Sequence, residues 1–181
     1  MELSPEPYSA ITGVGREVQF QPGDTGFRAI DPKHGRIGCG ICWDQWFPKT
    51  ARPLALQGAE VLLFPTAIGS EPLNVAIDSM PHRQRTMQGH AAANLVPIDA
   101  SNRVGTEVSG EMCCDFYGSS FIADHPGDKV AETTRINETY LTATFGLEEL
   151  KEYRRAWGIF RDRRPEMYGA VWMLDGVTVA G

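Results

Sequence analysis

The run Gly38-Cys39-Gly40-Ile41-Cys42-Trp43-Asp44-Gln45-Trp46-Phe47-Pro48 constrains the fold of this chain more than any other stretch. After Arg36 nothing polar intervenes up to Ile41, and Gly and Cys alternate with Ile. Residues 36–41 therefore read as a strand buried on both faces. Cys42 follows at once, between that strand and Asp44, a residue type that starts helices. The helix expected there tolerates Pro48 in its first turn and runs to Gln57, where Gly58 ends it. Pro53 inside it predicts a shortened or bent helix. A thiol thus sits at a tight strand-to-helix turn, a place where a nucleophile can be exposed.

The remaining pattern sets this turn in an α/β fold. Residues 27–30 form a short strand candidate, and 32–35 a hairpin loop. Residues 61–64 and 96–100 read as further buried strands. Between them lie a loop over 66–79 and a helix over 82–94, with Met87 and Ala91 on one face. Strands alternating with helices predict parallel neighbours and functional loops at strand ends. Beyond Ser109 the style changes. Residues 119–123 and 130–132, joined by His125-Pro126-Gly127-Asp128, predict a hairpin. Residues 140–144 are a further strand candidate, and 147–157 an amphipathic helix with Leu147, Leu150 and Arg154 at helical spacing. The charged and aromatic stretch 160–168 reads as a docking segment.

With 181 residues, 42% hydrophobic and 22% charged, the chain suits one domain with a sizeable core. The net charge of −6 argues against nucleic acid or an anionic membrane as the main partner. No apolar run approaches the length of a membrane span, and the N-terminus lacks the basic and apolar regions of a secretory signal. A cytoplasmic, reducing compartment is the expectation, with all four cysteines as thiols.

Three chemistries compete for Cys42. It can be a buried structural thiol. It can pair with Cys39 as a C-x-x-C thiol oxidoreductase. It can be the nucleophile of acyl chemistry. In an extended strand Cys39 points away from the face of Gly40 and Cys42, which weakens the redox pair. Trp43 and Trp46 suggest an aromatic-walled pocket. A zinc site is the weakest option, because Cys113 and Cys114 are adjacent and His82, His90 and His125 have no ligand spacing. His90 reads as a packed helix histidine. Asn102-Arg103 can line a pocket or meet a partner, and Asp44 is read as a helix cap. Asn137-Glu138-Thr139 is formally a glycosylation acceptor, with little meaning in a chain without a secretion signal.

Several motifs, in order, resemble the carbon–nitrogen hydrolases of the nitrilase superfamily, and within it the N-carbamoylputrescine amidases. They are Phe20-Gln21-Pro22-Gly23-Asp24-Thr25-Gly26-Phe27, then Ile41-Cys42-Trp43-Asp44-Gln45-Trp46-Phe47-Pro48. Leu56-Gln57-Gly58-Ala59-Glu60 and Pro65-Thr66-Ala67-Ile68-Gly69-Ser70-Glu71-Pro72 follow. Met87-Gln88-Gly89-His90-Ala91, Ala100-Ser101-Asn102-Arg103-Val104-Gly105 and Arg161-Asp162-Arg163-Arg164-Pro165-Glu166 complete the set. The similarity covers roughly residues 20–176. It implies a domain over 20–181, preceded by a poorly ordered tail, 1–19, without a family match. It also implies part of an α-β-β-α four-layer sandwich, with the N-terminal strands and helices of the family fold missing.

The resemblance implies a small carbamoyl or amide substrate, cationic where a diamine is carried, in polyamine biosynthesis. It implies no cofactor, no metal and a homo-oligomer. It makes Cys42 the nucleophile, acting through a thioester, and the Trp43 backbone N–H an oxyanion donor. The family's base Glu and its Lys precede the Cys. Only 41 residues do so here, and Lys33, in a turn, is the sole lysine among them. Neither role is assigned. Glu17 is the candidate for the family's second Glu, displaced by one position, which in a strand turns a side chain to the other face. Glu71 is a candidate for binding a distal ammonium. The expectation is a chain weakly active or inactive alone, with a non-catalytic, truncated or degenerate family member as the alternative.

Overall fold

The computed structural model describes residues 23–70, 74, 76–110, 112–173 and 176–177, and the side chains of all of these except 109 and 112. The tail assigned to 1–19 lies outside the described residues. The strands are β1 (Ile37–Cys39), β2 (Val61–Leu63), β3 (Ile98–Ala100), β4 (Val104–Ser109), β5 (Met112–Tyr117), β6 (Phe121–Ala123) and β7 (Lys129–Glu132). The helices are α1 (Pro48–Leu56), α2 (Met80–Asn94) and α3 (Leu147–Trp157).

The main sheet has the order β1-β2-β3-β6-β7. Its first three strands are parallel, as a strand–helix alternation requires, and β6 and β7 add antiparallel. Registered pairing builds two rows across it. Gly38, Leu62, Ile98 and Ala123 form one row, and Cys39, Leu63, Asp99 and Ile122 the other. The first row meets the helices. Leu54, Leu62, Phe64, Met87 and Ile98 are fully buried there, each contributing about 1.5–3 kcal/mol relative to exposure. Both glycines of β1 and its exit serve this contact. A methyl group on Gly38 would fall 2.9 Å from Leu54 Cβ, and one on Gly40 2.6 Å from Phe64 Cε1 and 2.9 Å from Thr50 Cγ2.

The strand expected over 36–41 is shorter and buried on one face only. Cys39 is exposed, and among the described residues a single bridge from Ile30 is all that pairs along the free edge of β1. That bridge is all that forms of the strand expected over 27–30. The helix expected from Asp44 is split. A 3-10 turn, Cys42–Trp46, precedes α1, and Phe47 between them is extended with φ −101°. α1 keeps Pro48 at its start and accommodates Pro53 inside.

Residues 140–144 form no strand. Leu141, Ala143 and Phe145 instead line a groove of about 340 Å³ over the second face of the sheet, with Val61, Leu63 and Asp99. Leu141 and Phe145 are partly buried there without any backbone pairing. The β4–β5 hairpin forms a separate two-stranded ribbon. α3 is tied back by Leu150, which is buried, and by Arg154, which donates to the carbonyls of Ala59 (3.2 Å) and Asn94 (3.3 Å).

Candidate functional site

The site forms where β1 ends. Gly40 N–H donates to Leu63 O (3.0 Å) and Cys42 N–H to Pro65 O (2.9 Å), so the β1–β2 ladder continues past both strands. Cys42 then takes φ 49°. A non-glycine residue in that left-handed region costs on the order of 1–3 kcal/mol and persists only where its surroundings impose it. Asp44 helps impose it, since its carboxylate accepts the Ile41 N–H at 2.9 Å. It closes the turn that begins with Cys42 rather than capping α1.

The thiol of Cys42 is half-buried, and the two expected indoles follow it within the same 3-10 turn. Trp43 and Trp46 meet edge-on with centroids 6.2 Å apart, and Trp46 lies 4.8 Å from the His82 ring. Trp43 is 40% exposed, which leaves this wall open on one side. Trp43 is also the residue whose N–H directly follows Cys42.

Beneath the turn lies a polar layer. Gln45 is fully buried. Its side-chain oxygen accepts from Arg83 Nε (3.0 Å), and its carbonyl lies 2.8 Å from His90 Nε2, which places the donor proton on that nitrogen. Burial pushes the His90 imidazole below its ordinary range, against the opposing effect of the Gln45 bond. His90 is thus the packed helix histidine expected of it. Arg83 and Gln45 were not anticipated. The available signal was spacing, because Arg83, Met87 and Ala91 follow one another at four-residue intervals and share one helix face.

The loop after β2 is anchored from several sides. Asn102 accepts from Ile68 N–H (3.0 Å) and donates to the carbonyls of Ile68 (3.0 Å) and Gly118 (2.9 Å). It is an internal tie rather than a pocket liner. Arg103 pairs with Glu107 at 2.7 Å and lies over the Phe116 ring. Ser70 exchanges bonds with Asp115, N–H to carbonyl at 2.8 Å and Asp115 N–H to Ser70 Oγ at 3.0 Å. Gly69 lies against the Asp115 backbone so closely that any side chain would collide with it. Glu71 follows this anchor but lies outside the described residues, as does Glu17.

Cys39 and Cys42 do not form a disulfide. Partial burial, and then the Asp44 carboxylate, push the Cys39 thiol up. Among the described residues, no three His, Cys, Asp or Glu side chains are grouped to hold a metal ion. No helix among them is long and apolar enough to cross a membrane.

A strand-to-helix elbow carrying a strained cysteine, on a sheet faced by helices, defines a class of protein, and sequence comparison agrees. The carbon–nitrogen hydrolase family matches residues 5–155, and the chain belongs to that family. A citrullinase of Francisella tularensis is 54% identical over 159 residues, covering 88% of this chain and 56% of the relative. The N-carbamoylputrescine amidase of Oryza sativa is 52% identical over 168 residues, covering 91% of this chain and 56% of the relative. A crystal structure of a carbon–nitrogen hydrolase from Helicobacter pylori G27 aligns with a TM-score of 0.81 at 37% identity, over 87% of this chain and 56% of that one. The chain therefore spans about half the length of the curated relatives it matches.

Proposed function

We propose that this chain carries the nucleophile half of an amidohydrolase acting on a terminal carbamoyl group of a small amine, as an N-carbamoylputrescine amidase does. The observation that carries the reading is the left-handed backbone of Cys42, hydrogen-bonded to Pro65 at the end of β1. Strain of this kind clusters at functional sites. The Cys42 thiol releases its proton, and the resulting thiolate attacks the carbamoyl carbon. The C–N bond breaks, ammonia or the amine leaves with a proton, and water hydrolyses the thioester to regenerate the thiol. The Trp43 N–H receives the negative charge that develops on the substrate oxygen.

Glu71, next in sequence to Ser70, is the candidate for binding the distal ammonium, and Glu17 is a weaker candidate for orienting the reacting groups. No residue here is assigned as the base Glu or the Lys of the family, so the chain alone turns over weakly or not at all. Exposed Trp157, Trp172 and Tyr140 favour self-association.

The test is ammonia release from N-carbamoylputrescine and from citrulline, two ureido compounds that differ by one carboxylate. It is run on the chain alone and on the chain extended with the N-terminal part of a relative. Turnover is expected after extension, lost in Cys42→Ala, and the ratio of the two substrates assigns the specificity. Glu71→Gln should raise KM for N-carbamoylputrescine far more than for an uncharged carbamoyl analogue. Full activity in Cys42→Ala overturns the reading.

A further inference from the structure

Arg83 is the only charged side chain that is fully buried among the described residues. Every hydrogen bond it makes there is to a neutral group. Nε donates to Gln45 Oε1 at 3.0 Å, Nη2 to the carbonyls of Ala100 (2.9 Å) and Ser101 (3.2 Å), and Nη1 to Ser119 O at 3.4 Å. No carboxylate pairs with it among the described residues. A buried guanidinium without a counter-ion is destabilising by several kcal/mol before its hydrogen bonds are counted, so its retention calls for a reason.

The reason lies in where its bonds go. They join the turn that begins with Cys42 to the end of β3 and to the residue two places before β6 starts. Resting on the function proposed above, we propose that Arg83 is a positioning residue for Cys42. It holds the elbow through Gln45, and it supplies from below the positive charge that an anion at the sulfur needs.

The electrostatics agree. Burial pushes the Arg83 guanidinium down, and the groups that oppose this are Tyr117, Cys42 and Asp99. Of these three, Cys42 is the one the proposed reaction converts to an anion. Asp44, the acid on the same turn, is already bound by the Ile41 N–H. His90, the other ionisable group touching Gln45, has its charged form disfavoured by burial. The carbonyls around Arg83 point their negative ends at the guanidinium, which fixes its place without discharging it.

Two alkylating reagents of different charge read this field directly. The rate of Cys42 modification by iodoacetate is divided by the rate with iodoacetamide, both followed on the Cys42 peptide by mass spectrometry. Access to the sulfur and its ionisation affect both rates and cancel in the ratio, whereas a local positive charge raises it. In the native 181-residue chain the ratio should exceed that of the same chain in urea by about fivefold, the scale of one unit charge at close range. Arg83→Met should remove the excess, and Arg83→Lys should keep it within about twofold. Gln45→Glu, which preserves shape but places a carboxylate on the guanidinium, should remove it as well.

A native ratio no higher than in urea overturns the proposal whatever the variants do. So does an unchanged ratio in a folded Arg83→Met or, if that variant does not fold, in Gln45→Glu. Turnover plays no part in this readout, so its failure is distinct from activity surviving in Cys42→Ala, which overturns the function itself.

Discussion

Gly40→Ala tests the claim that the turn at Cys42 is set by close packing of β1 on α1. The added methyl would sit 2.6 Å and 3.1 Å from two carbons of the Phe64 ring and 2.9 Å from Thr50 Cγ2. Phe64 is fully buried and Thr50 is 1% exposed, so neither has open space to move into. Gly40 does not have positive φ, so alanine meets no backbone penalty and the effect is steric. Overpacking of this kind destabilises by about 1–3 kcal/mol. For a domain of this size that lowers Tm by about 2–12 °C.

The assay is a reversible thermal melt of the parent, Gly40→Ala, Phe64→Leu and the double variant. Phe64→Leu destabilises by itself, because it removes buried ring atoms, but it opens the space that the new methyl needs. The double variant should therefore be more stable than the sum of the single effects, by about 1 kcal/mol or more. Melting of Gly40→Ala within about 1 °C of the parent would refute the reasoning, and so would strict additivity. The first result would mean that β1 and α1 separate freely, and the second that Phe64 is not the obstacle.

Two further outcomes follow from buried ionisable groups. His90 has its proton affinity lowered by burial, so the unfolded chain binds a proton more readily than the folded one. Stability should fall as pH drops below about 6.5, the ordinary histidine value. His90→Gln should flatten the decline in Tm between pH 7.5 and 5. Asp99 has the opposite sign of shift. Burial raises it first, with the Ser101 N–H and Arg83 opposing. Its folded form holds the proton more tightly, so its contribution is present at acid pH and is lost as pH rises through the raised value. Asp99→Asn should raise Tm at pH 7, and the gain should vanish below about pH 4.

Much of this molecule was readable in the chain, and the exceptions have physical causes. Helix α3 was expected over the residues it occupies, Leu147–Trp157, because its apolar stripe is regular and glycines stand at both ends. The three parallel strands were legible as short apolar runs between helical segments. The β4–β5 hairpin was not, since Val104–Ser109 and Met112–Tyr117 mix charged, small and apolar residues without a clean period. Its pairing is decided by the partner strand.

In the site, Cys42 was singled out from its turn and its aromatic neighbours, and the structure gives it a left-handed backbone. Asp44 was recognised as a backbone acceptor but assigned to the wrong helix, because a single extended residue, Phe47, that splits one helix into two leaves no compositional mark. Arg83 was passed over because charge normally signals surface, and only its register with Met87 and Ala91 says otherwise.

The bond from Cys42 N–H to Pro65 and the left-handed φ of Cys42 have a joint consequence. The residue is stitched into the sheet on one side and seated in a narrow conformational basin on the other. Its main chain therefore has no slack with which to follow a substrate. The sulfur retains one freedom, rotation about Cα–Cβ, and its position is a choice among staggered rotamers. Motion of the sulfur at this elbow is accordingly a swing of one bond on a fixed mount.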